Sequence, residues 1–169
     1  MAIKTLEEKF QHGLGDIYDA EHRFLEAQQT MLESATSATV RKNLEKHIVE
    51  TEQQIVNLTK VYEALGLTPK RVACDAAKGL VTEGDKLLKE TKDVPELADL
   101  GITGSCSKVE HYEIAAYRGL IACAESMGQT EIARLLQENL QQEENTAQTL
   151  EATIPALLKQ AMKTSSQAA

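Results

Sequence analysis

Apolar residues recur at alternating steps of three and four along four long stretches of this chain, and in each stretch a glutamate interrupts or borders the stripe near its middle. The first stripe reads Phe10, Leu14, Ile17, Glu21, Phe24, Gln28, Leu32. The second is less regular and passes through Leu44, His47, Glu50 or Thr51, Gln54 and Leu58. The third reads Ile102, Cys106, Val109, Glu113, Ala116, Leu120, Cys123, Met127, and the fourth Ile132, Leu136, Leu140, Glu143, Ala147, Leu150. Such spacing suits helices that each bury one face. With only nine glycines and three prolines in 169 residues, and Ala, Leu, Glu, Gln and Lys abundant, nothing in the chain suggests a sheet.

The few helix-breaking residues divide the chain. Thr5 and Glu8 form a capping-box pattern that opens a helix over 5–34. A small, hydroxyl-rich turn at 34–39, with Ser37 as cap, leads into a helix over 38–65 that Gly66 ends. Thr68 and Pro69 read as cap and first-turn residue of a crossover helix over 70–91. Asp93, Pro95 and Glu96 repeat that logic for a helix over 95–127, stopped by Gly128. Thr130 caps a fourth long helix over 130–150, and Pro155 marks off a short helix over 151–162 before a flexible tail at 163–169. Two long hairpins joined by a connection of some 30 residues make a single all-α domain over 1–162, a ferritin-like four-helix bundle whose long crossover carries an additional helix.

The interrupting carboxylates stand level with one another. Counted from residue 36, Glu21 lies fifteen residues before the turn and Glu50 fourteen after it; counted from Gly128, Glu113 and Glu143 each lie fifteen away. At about 1.5 Å of rise per residue all four meet near one plane at mid-height. Ionised carboxylates in a dry core repel one another and lose hydration worth several kcal/mol apiece unless protons, cationic side chains or metal ions compensate. The stripes hold no Lys or Arg at these heights, so a hard divalent cation is the natural partner, iron or manganese before copper. Glu110, three before Glu113, faces inward from the same helix and adds an oxygen donor. His47, three before Glu50, is placed to be the one nitrogen donor or to stand just behind it, its alternative being an ordinary buried histidine. His111 points about 100° away from Glu110 around the helix. Tyr18, Tyr112 and Tyr117 lie within a turn or so of the plane, read first as core tyrosines.

Other functions are disfavoured. A net charge of −8 disfavours nucleic acid as a partner, since counterion release from a phosphate backbone needs cationic side chains. No window approaches the run of apolar residues that a membrane span requires, so no membrane association is expected. Cys74, Cys106 and Cys123 form no CxxC, read as small buried side chains, and fit a reducing cytoplasm. No glycine-rich strand-to-helix turn offers a nucleotide or flavin site.

The segments Asp16–Glu21 (DIYDAE), His47–Gln54 (HIVETEQQ) and Lys108–Tyr117 (KVEHYEIAAY) resemble the bacterial YciE/YciF family of small ferritin-like proteins, the resemblance running from Lys4 to about Leu150. It implies a homodimeric ferritin-like bundle, a part in stress responses, and a ferroxidase assignment. The wider ferritin and rubrerythrin superfamily holds two irons with Glu, ExxH, Glu or ExxE, and ExxH on successive helices. Carried onto this chain, Glu21 is the first ligand, Glu50 the Glu of the second motif, Glu110 and Glu113 the ExxE, and Glu143 the Glu of the last. Both ExxH histidines are replaced, by Gln53 and Thr146. The reading is thus a cytoplasmic di-iron carboxylate protein, two iron ions per subunit with manganese as an alternative, that oxidises Fe(II) with dioxygen or peroxide. The alternative is a non-enzymatic metal-binding or structural dimer acting through a protein partner. A rubrerythrin-type peroxidase lacks here the paired CxxC segment that delivers its electrons.

Overall fold

The computed structural model describes residues 2–167. Among them five helices and no strand occur: α1 (Leu6–Ser34), α2 (Ala38–Ala64), α3 (Asp75–Thr91), α4 (Pro95–Ser126) and α5 (Thr130–Gln167). The fold is all-α and ferritin-like. Helices α1, α2, α5 and α4 follow one another around the bundle, each packed on its neighbours, and α3 lies over the seam between α1 and α4. Neighbours run antiparallel: Asp16 meets Tyr112 while Met31 meets Cys106, and Asn57 meets Asn139 while Asn43 meets Thr153.

Local chemistry sets the ends of the helices. Thr5 accepts from the Glu8 N–H while the Glu8 carboxylate accepts from the Thr5 N–H, closing the capping box of α1. Gly66 and Gly128 adopt positive φ, 68° and 71°, where a side chain would be strained. Ser37 is the N-cap of α2, but its side chain makes no capping bond. The buried Asp99 of α4 takes that role from across the bundle, accepting from the Thr36 N–H at 2.9 Å, the Thr36 hydroxyl at 2.7 Å and the Ser37 N–H at 2.8 Å. Its charge sits at the positive end of α2 and fastens the α1–α2 turn to the start of α4.

The structure departs from the sequence reading in the crossover and at the C-terminus. The crossover helix begins at Asp75, capped by Cys74, rather than at residue 70; Thr68 and Pro69 do not open it. Tertiary bonds hold the stretch before it out of helix. Val72 donates to the Gly15 carbonyl at 2.9 Å, Tyr62 donates to the Lys70 carbonyl at 2.8 Å, and the Cys74 N–H and Arg71 both donate to Asp19. Gly15 makes the close approach possible: a Cβ there would lie 2.6 Å from Val72 Cγ2 and 3.0 Å from the Lys70 carbonyl oxygen. Val94, not Asp93, precedes α4 as its N-cap. The segments expected as 130–150 and 151–162 form one helix that continues through Pro155 to Gln167, taking in most of the expected tail; residues 168–169 lie outside the described residues. Pro155 removes one helical hydrogen bond, but Leu157 and Ala161 beyond it stay buried, and Leu157 packs with Met31, Val40 and Leu44, which keeps the last turns in register.

Asp19 is the anchor of the crossover. Burial pushes its carboxyl up, yet donation from Arg23, the Cys74 N–H and Arg71 outweighs burial and holds its pKa at about 2, below its ordinary 3.8. A lowered carboxyl stabilises the fold above its ordinary pKa, and that stability drains away as pH falls through the folded value. Asp19→Asn is therefore expected to cost roughly 2 kcal/mol at neutral pH, with the gap to the parent narrowing as pH drops from about 4 towards 2. Urea unfolding of both proteins across that range measures it.

Candidate metal centre

Each helix of the bundle sends polar groups into its middle. Glu21 comes from α1, His47 from α2, Glu110 and Glu113 from α4, and Glu143 from α5, and none is more than 3% exposed. One ligand atom from each of His47, Glu110, Glu113 and Glu143 lies within 4.8 Å of the others. His47 Nδ1 is 3.3 Å from Glu110 Oε1, and its Nε2 is 3.8 Å from Glu143 Oε2. Glu21 borders this group. It accepts a hydrogen bond from the Tyr117 hydroxyl, and the Glu143 charge raises its pKa further.

Glu50 stands apart. Its side chain is 18% exposed, pairs with Lys46 at 2.8 Å and accepts from the Thr146 hydroxyl at 3.2 Å. On α2 the inward positions at this height belong to Thr51 and Gln54. Of the two residues at the places of the superfamily histidines, Thr146 reaches Glu50, while Gln53 is exposed and donates to Asn57. The structure thus gathers His47 with Glu110, Glu113 and Glu143, sets Glu21 beside them and leaves Glu50 on the rim, where its charge still raises Glu143.

Neutral amides and hydroxyls fix these side chains. Gln54, fully buried, donates to Glu143. Gln28 Nε2 lies 3.4 Å from both ring nitrogens of His47 and donates to Thr51 at 3.1 Å. Asn139 donates to the Tyr117 hydroxyl at 3.0 Å and accepts from Asn57 at 2.8 Å, forming a polar layer beneath Glu21 and Glu143. The sequence reading placed Gln28 and Gln54 on their stripes without assigning them this work. It passed over Asn139, although that residue stands four before Glu143 on the same face. Tyr112 turns away from the cluster to donate to Asp16, and His111 is exposed beside Glu151.

The electrostatics are those of a site waiting for positive charge. Burial, followed by the neighbouring carboxylates, raises Glu21 and Glu113 well above the ordinary range; for Glu110 burial is followed by the closeness and charge of the Glu143 carboxyl. Burial also raises Glu143, to about 7, against the lowering effect of the adjacent Glu110 carboxyl and of the hydrogen bond from Gln54. Burial, with the Lys46 charge, lowers His47 to about 4, so its ring is a neutral donor at physiological pH. No donor reaches Glu21 Oε2, either oxygen of Glu110, Glu113 Oε1 or Glu143 Oε2. Among the described residues no lysine or arginine pairs with these four carboxylates. Buried acceptors left this way are costly, and a cation on them supplies what the protein does not. Oxygen donors with one imidazole fit iron or manganese.

Fold and site together define an all-α ferritin-like bundle with a buried histidine–glutamate cluster able to hold a metal ion. Residues 5–163 match the family described as a domain of unknown function, DUF892. The chain is 34% identical over 147 residues to Protein YciF of Escherichia coli (strain K12), which covers 86% of this chain and 88% of that protein. The crystal structure of the E. coli stress protein YciF matches with a TM-score of 0.88 at 32% identity, covering 93% of this chain and 99% of that one. YcfI from Rhodopseudomonas palustris matches with a TM-score of 0.83 at 40% identity, covering 88% and 94%. The chain belongs to the YciE/YciF family.

Raised carboxyl pKa values stabilise the metal-free fold below the ordinary carboxyl range, and that contribution is lost as pH rises through the folded values. The metal-free protein is therefore expected to melt at progressively lower temperature as pH rises from neutral upward. Mn(II) should displace the protons and flatten that decline. Thermal unfolding from pH 6 to 9, with and without Mn(II), checks both.

Proposed function

We propose that this protein binds iron at the cluster, two ions per chain, and oxidises Fe(II) with dioxygen or peroxide as part of a stress response. Five buried carboxylate oxygens without a donor, facing a neutral imidazole, carry the reading. Glu110, Glu113, Glu143 and His47 would hold one ion, and Glu21 with the neighbouring carboxylates a second. With dioxygen, two Fe(II) give up one electron each, the gas takes both electrons and two protons, and hydrogen peroxide leaves.

The residues of the chain set the terms of that exchange. Four carboxylates concentrate negative charge in a low-dielectric core, which favours the ferric product over the ferrous substrate. Tyr117 holds Glu21 and Gln54 holds Glu143, so neither has to reorganise as the charge changes. Phe24, Leu14 and Leu136 and their neighbours keep bulk water out. The E. coli relative is described as a stress protein, in keeping with iron oxidation under oxidative conditions. The resemblance to the family supports a homodimer in the cytoplasm.

A second reading, a metal-binding or structural dimer without turnover, draws on the exposed Gln53 and the Thr146–Glu50 bond, which leave His47 as the one imidazole at the site. Anaerobic Fe(II) titration of metal-free protein separates the two. Two ions bound, reduced in Glu113→Gln, with repeated ferric formation when oxygen is admitted, is the expected result. Binding without repeated oxidation would favour the second reading, and binding no greater than that of Glu113→Gln would exclude the iron site and leave only a structural dimer.

A further inference from the structure

Beside the carboxylate cluster lies a small cavity of about 20 Å³ between α1, α3 and α4. Phe24, Met31, Leu80, Cys106 and Val109 supply its apolar wall, and His47 and Glu110 lie at its inner end. On its border Gln28 is held by Thr51 and lies against His47. Glu110 is different, for no donor reaches either of its oxygens. Outside the cavity, between α1 and α3, is a surface cleft of about 320 Å³ bordered by Arg23, Glu26, Thr30, Lys78, Thr82 and Asp85. Ala27 and Val81 line both spaces, so the cavity and the cleft adjoin at these two side chains.

Size and lining select the occupant. A space this large admits one small molecule and little more. An ion or a peroxide would give up its hydration against carbon and sulfur with few partners in return, whereas a dioxygen molecule has almost no hydration to lose. The mixed charges of the outer cleft present no field of one sign that would draw ions towards the cavity. We propose that this cavity is a binding site for a single dioxygen molecule, entered past Ala27 and Val81, that sets the gas against the His47–Glu110 side of the metal centre. It makes dioxygen, rather than peroxide, the oxidant suited to this route. The oxidant role rests on the iron oxidation proposed above; the cavity's affinity for an apolar gas does not.

Xenon is the probe, because it fills dry apolar cavities without chemistry. Under xenon pressure the methyl resonances of Ala27, Met31, Val81 and Val109 in the metal-free protein should shift and saturate. The shift should be lost in Ala27→Leu and in Val81→Phe, and enlarged in Val81→Ala, with circular dichroism showing each variant folded. Two filling variants are used so that the loss of one to misfolding leaves the other. In the iron-loaded protein the filling variants should bind Fe(II) as the parent does but oxidise it more slowly when oxygen is admitted. Absence of a saturable xenon shift in the parent overturns the gas site. Filling variants that exclude xenon yet oxidise Fe(II) at the parental rate overturn its role as the oxidant's site. A parent that binds no Fe(II) overturns the metal reading and the oxidant role with it, while the xenon shifts still decide whether the gas site exists.

Discussion

Four carboxyl groups in the dry middle of a helical bundle dictate how everything around them is arranged. Glu21, Glu110, Glu113 and Glu143 are each at most 1% exposed, and together they leave five oxygens without a donor. An apolar residue at any of these positions would relieve repulsion and desolvation, so the arrangement is costly for a protein whose net stability is of the order of 10 kcal/mol. Burial and neighbouring carboxylates push the carboxyls up, so protons can neutralise the cluster in the metal-free state, while burial and the Lys46 charge push the imidazole down. Cations do so with better geometry, since a metal ion accepts several oxygens at once.

The scaffold serves that cluster by placing its strong polar contacts at the ends and on the crossover. Asp99 ties the α1–α2 turn to the first turns of α4, and Asp19 ties the extended stretch before α3 to the middle of α1. Between those anchors the bundle interior is apolar above and below one polar layer of amides, hydroxyls and carboxyls. The amides are neutral, so they orient Glu143, His47 and Tyr117 without cancelling the charge that a cation needs.

Much of this was legible in the sequence because helical periodicity exposes its own exceptions: Glu21, Glu113 and Glu143 fall on stripes that otherwise carry apolar side chains. The second helix was harder to read. Its stripe mixes His47, Thr51 and Gln54, and a rotation of one residue decides whether Glu50 or Thr51 faces inward; packing resolved it towards Thr51. The crossover start was misread because Thr68–Pro69 is a sound local signal that Asp19, the Gly15 carbonyl and Tyr62 override from elsewhere in the fold. The continuity of α5 through Pro155 has the same origin, burial of Leu157 and Ala161 outweighing one lost hydrogen bond.

Whether the buried glutamates and His47 hold metal ions is decided by anomalous diffraction at the iron edge, from crystals grown anaerobically with Fe(II). Strong peaks are expected within bonding distance of His47, Glu110, Glu113 and Glu143, with a second beside Glu21. A map with no peak there, and carboxyls paired with one another or with ordered water, would contradict the proposal.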